Sequence, residues 1–160
     1  MERVNRILKH RTYLEALRLI EEKEADRIFC RHNMRHFMDV ARIAIILNLE
    51  ENKAVAKEYI YAAALLHDCG RHIQYENGTP HEIASGEIAE GILADCGFDP
   101  GESEMILRAI RMHRNKEEAY TEPLSELIYR ADKLSRECFY CASYELWDRK
   151  PEKKTDFLRS

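Results

Sequence analysis

Ile60-Tyr61-Ala62-Ala63-Ala64-Leu65-Leu66-His67-Asp68-Cys69-Gly70 is an apolar run that ends on a histidine and an aspartate. Ile60, Ala63, Ala64 and His67 fall at i, i+3, i+4 and i+7, so His67 continues the inward stripe of a helix. An adjacent histidine and aspartate directed into a core need polar partners or a metal ion there. Gly70 is placed to end this helix as its left-handed residue.

The same coincidence recurs on other segments. His36 aligns with Val40, Ile43, Ala44 and Leu47, and His81 with Ala84, Ile88 and Ile92. His113 aligns with Ile106, Ala109 and Ile110, and Asp132 with Leu124 and Ile128. Each spacing matches one face of a 3.6-residue helix. Taken singly, each has a plain explanation. A histidine on an apolar face is more often a hydrogen-bonded core residue than a ligand. Asp132 could pair with Arg130, Lys133 or Arg136, since an unpaired buried carboxylate costs several kcal/mol. Together with Asp68, however, they amount to four imidazoles and two carboxylates, a donor set suited to one or two divalent metal ions. His81 also falls in the first turn of its helix, where the dipole favours the neutral ring that a metal requires.

Helical periodicity runs through most of the chain. It predicts helices over about 10–24, 27–49 and 53–68, with Asn77-Gly78 as a turn. Thr79-Pro80-His81-Glu82 reads as a capping box with Thr79 as N-cap, opening a helix that stops at Gly97. Asp99-Pro100-Gly101-Glu102 opens another, to about Arg114. A last helical region starts near Glu122-Pro123 and runs through Trp147 with a break, before a charged, frayed tail over 149–160. No strand pattern stands out. The expected fold is all-α: a single compact bundle of six to seven helices, with residues 1–160 as one domain and a motif-bearing core over 27–147.

Composition fits this reading. The 160 residues are 45% apolar, enough for a normal core. No run of about 18 apolar residues is present, and no signal peptide is visible, so a soluble cytoplasmic protein without membrane contact is expected. A net charge of −4 argues against nucleic acid as the main partner but leaves room for a small phosphorylated ligand. The five cysteines, an odd number, argue against a disulfide framework. Cys138 and Cys141 form a CxxC read as buried or half-buried thiols. His32 precedes His36 by four residues, as an HxxxH pair on one helix would; a surface or supporting role is favoured. His10 and His72 carry no role. Tyr75, Tyr140 and Trp147 are read as packing in preference to base stacking.

The order His36, His67-Asp68, Asp132 resembles the HD-domain superfamily of metal-dependent phosphohydrolases. His36-Phe37-Met38-Asp39-Val40-Ala41, Ala63-Ala64-Leu65-Leu66-His67-Asp68-Cys69-Gly70-Arg71 and Tyr129-Arg130-Ala131-Asp132-Lys133 match its three motif contexts. The resemblance implies one metal held by His36, His67, Asp68 and Asp132. His81 and His113 stand where two-metal members carry further histidines, which implies a second ion with Asp68 as the bridge. The chain departs from the pattern at Arg71, where many members have lysine. It also lacks the Gly-Tyr-Pro element of the cyclic dinucleotide phosphodiesterases. Ala131-Asp132-Lys133-Leu134-Ser135-Arg136 is similar to the closing motif of an HD family that splits diadenosine tetraphosphate, but the His-Thr-x-Gly segment of that family is missing.

The implied function is hydrolysis of a small phosphorylated molecule, a nucleotide above all, by a metal-activated water. The ions could be iron, manganese, zinc, nickel, cobalt or magnesium. Asp68, Arg71 and Lys133 are the expected catalytic residues, the last two neutralising phosphate; solvated surface charge is the alternative for both, and the favoured reading of Arg136. Two other functions use similar residues: a di-iron oxygenase of the same fold, and a non-catalytic module that binds a nucleotide or partner. Oligomeric state is not readable.

Overall fold

The computed structural model describes residues 1–146. Among them the chain forms nine α-helices and no strand: α1 (Glu2–Ile7), α2 (Arg11–Lys23), α3 (Met34–Glu50), α4 (Lys57–Leu66), α5 (Arg71–Asn77), α6 (His81–Cys96), α7 (Pro100–Met112), α8 (Lys116–Ala119) and α9 (Pro123–Leu134). Two 3₁₀ turns follow, Cys138–Tyr140 and Tyr144–Leu146. Six long helices coincide with those the spacing predicts. The three short ones, α1, α5 and α8, raise the count above six or seven. The expectations for Trp147 and for the tail lie outside the described residues.

α4 is the central element. Residues Ala62 to Leu66 are buried on every face, as expected of a helix apolar all round. α4 packs on α3, α7 and α9, while α3 lies on α9 and α6 on α7. Phe37, Leu65, Leu66, Ile106, Ile110, Leu127 and Ile128 fill the space between them and are almost wholly buried. Each contributes roughly 1.5–3 kcal/mol relative to exposure.

α4 starts at Lys57 instead of about residue 53, and α9 ends at Leu134, with only the two 3₁₀ turns continuing toward residue 146. Three further differences have local reasons. α3 starts at Met34, because Asn33 caps it by accepting from the His36 N–H. Gly70 is not left-handed: its φ is −85° and it opens α5. Its value is the missing side chain, since a Cβ there would lie 2.3 Å from Ser85 N and 2.5 Å from Ala84 C. Thr79 does not cap α6; Pro80 is the N-cap residue, with no side-chain capping bond. Elsewhere the sequence signals hold. Gly78 (φ 81°) and Gly97 (φ 87°) are left-handed helix ends, and Asp99 with Glu102 forms the reciprocal capping box of α7.

Candidate metal centre

Five helices deliver the candidate side chains to one place. His36 sits in the first turn of α3, its register fixed by the Asn33 cap. His67 is the C-cap residue of α4 and Asp68 follows it. His81 opens α6, His113 is the C-cap residue of α7, and Asp132 lies in the last turns of α9. All are buried except His36, which is half-buried.

His67 and His113 share one device. Each ring lies just beyond the end of its helix and turns back onto the carbonyl three residues earlier. His67 Nδ1 is 2.7 Å from Ala64 O, and His113 Nδ1 is 2.6 Å from Ile110 O. A carbonyl only accepts, so Nδ1 carries the hydrogen in both rings and Nε2 is left with a bare lone pair.

Asp68 divides the cluster between its two oxygens. Oδ2 lies 3.5 Å from His67 Nε2 and 3.9 Å from His36 Nε2. Oδ1 lies 3.0 Å from His81 Nε2 and 3.6 Å from His113 Nε2. Asp132 Oδ1 completes the first group, 3.7 Å from His36 Nε2 and 4.0 Å from His67 Nε2. Two sets of donor atoms result, His36/His67/Asp68/Asp132 and Asp68/His81/His113, each within 4.8 Å of one another. Two donors about 2.1 Å from a shared ion stand some 3–4 Å apart, so these spacings suit coordination.

Hydrogen bonding gives an independent indication. His36 Nε2, His67 Nε2 and Asp68 Oδ1 are buried with no hydrogen-bond partner among the described residues. Orphaned polar atoms in a core cost about 1–3 kcal/mol each, more for charged groups. Here three of them lie in one cluster, two in the first donor set and one in the second. The donor chemistry therefore fits divalent ions.

Electrostatics sets the protonation states. Desolvation lowers the pKa of His67 to about 3 and also lowers those of His36 and His81, against the pull of the nearby aspartates. Burial opposes ionisation of Asp132, but Arg136 and Lys133 hold its carboxyl well below the usual range. For Asp68 the His67 ring and the Arg71 guanidinium have the same effect. Neutral imidazoles and ionised carboxylates are what a metal needs.

The basic residues are less exposed than expected. Lys133 Nζ donates to Asp132 Oδ2 (2.8 Å) and His113 O (3.0 Å) and lies 4.4 Å from the centre of the Tyr129 ring. Arg136, read from sequence as solvated charge, donates to Asp132 Oδ2 at 2.9 Å. Arg130 instead pairs with Glu51 and Glu126. Arg71 places Nη1 2.7 Å from His81 Nδ1 and Nη2 2.7 Å from His32 Nε2. Gln74 Oε1 also reaches His81 Nδ1 at 2.7 Å. The His81 tautomer selects between these partners: a proton on Nδ1 is donated to Gln74 and bares Nε2, whereas a bare Nδ1 accepts from Arg71.

Sequence reasoning missed Glu24 and Gln74, and it placed His32 on a helix. His32 in fact precedes α3, and its N–H and ring both meet the buried Glu24 carboxylate. Tyr75 is tied to the same carboxylate through its hydroxyl (2.5 Å). Tyr140 is 86% exposed rather than packed. The CxxC thiols are as expected, Cys138 buried and Cys141 half-buried, and all five cysteines are free.

Comparison with known proteins bears on this centre. A family model described as HD domain matches residues 33–137, which carry all six candidate ligands. An uncharacterized protein of Clostridium beijerinckii is 47% identical over 154 residues, 96% of each chain. Ribonuclease Y of Petrotoga mobilis is 28% identical over 134 residues, 84% of this chain but only 24% of its own length. The crystal structure of a predicted HD superfamily hydrolase from an uncultured Thermotogales bacterium superposes with a TM-score of 0.62 at 26% identity, covering 78% of this chain and 67% of that one. Family, neighbour and donor cluster together support a metal-dependent hydrolase. The chain belongs to the HD domain family.

Proposed function

We propose that this chain is a metal-dependent phosphohydrolase that cleaves a phosphate ester or anhydride in a small molecule, a nucleotide foremost, and that its residues form one HD-type domain. The observation that carries the reading is a cluster of buried donor atoms without hydrogen-bond partners among the described residues, His36 Nε2 and His67 Nε2 in the first donor set and Asp68 Oδ1 in the second. His36, His67, Asp68 and Asp132 would hold one ion; His81 and His113, with Asp68 as bridge, a second. Bound ions would supply Lewis acidity toward phosphate oxygens and a water of lowered pKa.

The protein's own groups do the rest. Asp68 presents one oxygen to each donor set and fixes their separation. Lys133 and Arg136 occupy Asp132 Oδ2, which leaves Oδ1 toward the cluster. Arg71 and Lys133 bring positive charge to the edge of the centre, where a phosphoryl group would sit. Ribonuclease Y, by its name, acts on the phosphodiester links of RNA, and its similarity favours chemistry at phosphorus here. The net charge of −4 favours a small substrate over a polyanion.

The test is release of product from generic phosphomonoesters, phosphodiesters and a nucleotide panel, with manganese, iron, zinc, cobalt, nickel and magnesium supplied in turn. Turnover in at least one combination, lost on chelation, is expected. Inactivity of the protein with its full metal complement would overturn the reading in favour of a binding module.

A further inference from the structure

Glu24 is a buried carboxylate that the metal chemistry does not use. It caps the end of α2 and is 3% exposed. Burial on that scale requires full pairing. Glu24 Oε2 accepts the His32 backbone N–H at 2.7 Å; Oε1 accepts from His32 Nδ1 at 2.5 Å and from the Tyr75 hydroxyl at 2.5 Å. Burial would raise its pKa, but the His32 contacts and Tyr75 bring it down to about 2. An ionised carboxylate only accepts, so His32 carries its proton on Nδ1.

The consequence falls on the other side of the ring. His32 Nε2 is left with a lone pair, 2.7 Å from Arg71 Nη2, and accepts from it. The longer approach of Arg71 Nε to His32 Nδ1, 3.4 Å, is not a hydrogen bond, because that nitrogen's proton is committed to Glu24. At its other end the guanidinium donates to Gln74 Oε1 (3.4 Å) and lies 2.7 Å from His81 Nδ1, which accepts from it only while His81 Nε2 carries the proton. Asp68 lies alongside, with Oδ2 3.7 Å from His32 Nε2. Arg71 is thus held by His32 at one end and Gln74 at the other, close enough to Asp68 to act on its carboxylate.

We propose that Glu24 and His32 are positioning residues that aim Arg71, and that the three form an oxyanion-binding arm for a tetrahedral phosphoryl group beside Asp68; this rests on the phosphohydrolase reading above. The imidazole between the two charges gives the arm its function. A glutamate placed directly on Arg71 would fix the guanidinium but cancel its charge. A neutral ring transmits the orientation and leaves the positive charge for an incoming anion.

The test uses the full-length, metal-loaded protein with inorganic phosphate as the probe, measured by calorimetry, and metal content by elemental analysis. His32→Ala and Arg71→Ala should each weaken phosphate binding roughly tenfold or more, and the double variant should be no worse than Arg71→Ala alone, because both act through one guanidinium. His32→Gln, whose amide oxygen can accept from Arg71, should recover part of the loss. If His32→Ala does not fold, Glu24→Gln and His32→Gln carry the same comparison, and a weakening by Glu24→Gln at unchanged metal content supports the arm. Metal content should equal wild type throughout.

Unchanged phosphate affinity in His32→Ala, or additive losses in the double variant, would overturn the arm. A drop in metal content would overturn it too, by making His32 a ligand. Wild-type protein that hydrolyses a phosphate ester yet is indifferent to His32→Ala sinks the arm alone. Wild-type protein that binds neither metal nor phosphate sinks the parent reading, and the arm with it.

Discussion

Two of the charged clusters in the helical bundle are built on opposite terms. At the N-terminus Arg3 reaches from α1 to α4 and α7. It donates to Glu58 Oε2 at 2.7 Å and Glu102 Oε2 at 2.5 Å, while Tyr59 donates to Glu102 Oε1 at 2.8 Å and the α-amino group lies 3.2 Å from Glu58. Each acid meets a donor and each donor an acid. In the centre of the molecule the reverse holds: imidazoles and a carboxylate are buried with atoms that have no hydrogen-bond partner among the described residues. A saturated cluster fastens helices together. An unsaturated one spends folding stability on something outside the polypeptide. Charge is common to both, while the first is half-buried and the second buried almost throughout; the count of unmet hydrogen bonds distinguishes them.

The sharpest break would come from Asp68→Ala. The proposed bridge serves both donor sets, so metal affinity should fall by more than the roughly 10–100-fold typical of removing an outer partner, and hydrolysis should fall with it. Elemental analysis showing a full metal complement in this variant would erase the contrast. The next effect is on stability. Stripping metal with a chelator should lower the melting temperature, since a ligand at 100 times its Kd contributes about 2.7 kcal/mol. Arg3→Ala should lower it by the same increment in loaded and stripped protein, and leave metal content alone. A dependence of the Arg3 effect on metal would mean the two clusters are one system.

His81→Ala should reduce bound metal from two ions toward one, read by stoichiometry. An unchanged count would show that the second donor set is filled by hydrogen bonds after all. The smallest expected effect concerns acid. Arg3, the Asp99 backbone and Tyr59 lower the pKa of Glu102 to about 2, from an ordinary value of 4.5. A depressed carboxyl contributes stability above its unfolded pKa and loses it as pH falls through the folded one. The difference in urea midpoint between wild type and Arg3→Ala should therefore shrink between pH 4.5 and 2.

The long helices and the six central side chains were legible because both depend on one regularity, polar residues falling on apolar stripes. His67 announces itself directly after Ala63–Leu66, and Asp132 directly after Leu124–Ala131. Regularity fails over short segments: α5 spans Arg71–Asn77 and α8 Lys116–Ala119, too few residues to display a period. It also fails where the third dimension decides. Glu24 follows Glu21-Glu22-Lys23 and looks like any solvated end of a helix. Its pairing comes from His32 and Tyr75, eight and 51 residues further on, and nothing local encodes that. Arg136, just past α9, reads as surface charge or as one of three candidate partners of Asp132, and only the fold selects it and Lys133 over Arg130. Gly70 was assigned to the wrong property of glycine, its backbone freedom instead of its lack of bulk.

That absent bulk reaches further than one residue. The Gly70 N–H donates to the Ser85 hydroxyl at 2.8 Å, and a methyl group would have nowhere to go. The chain that carries His67 and Asp68 is thereby pressed main chain to main chain against the helix that begins at His81. The gap between the two donor sets is then ruled by peptide planes, which do not change with side-chain identity. Side chains around the cluster can change without moving this contact, so the spacing between the two donor sets stays locked to the framework.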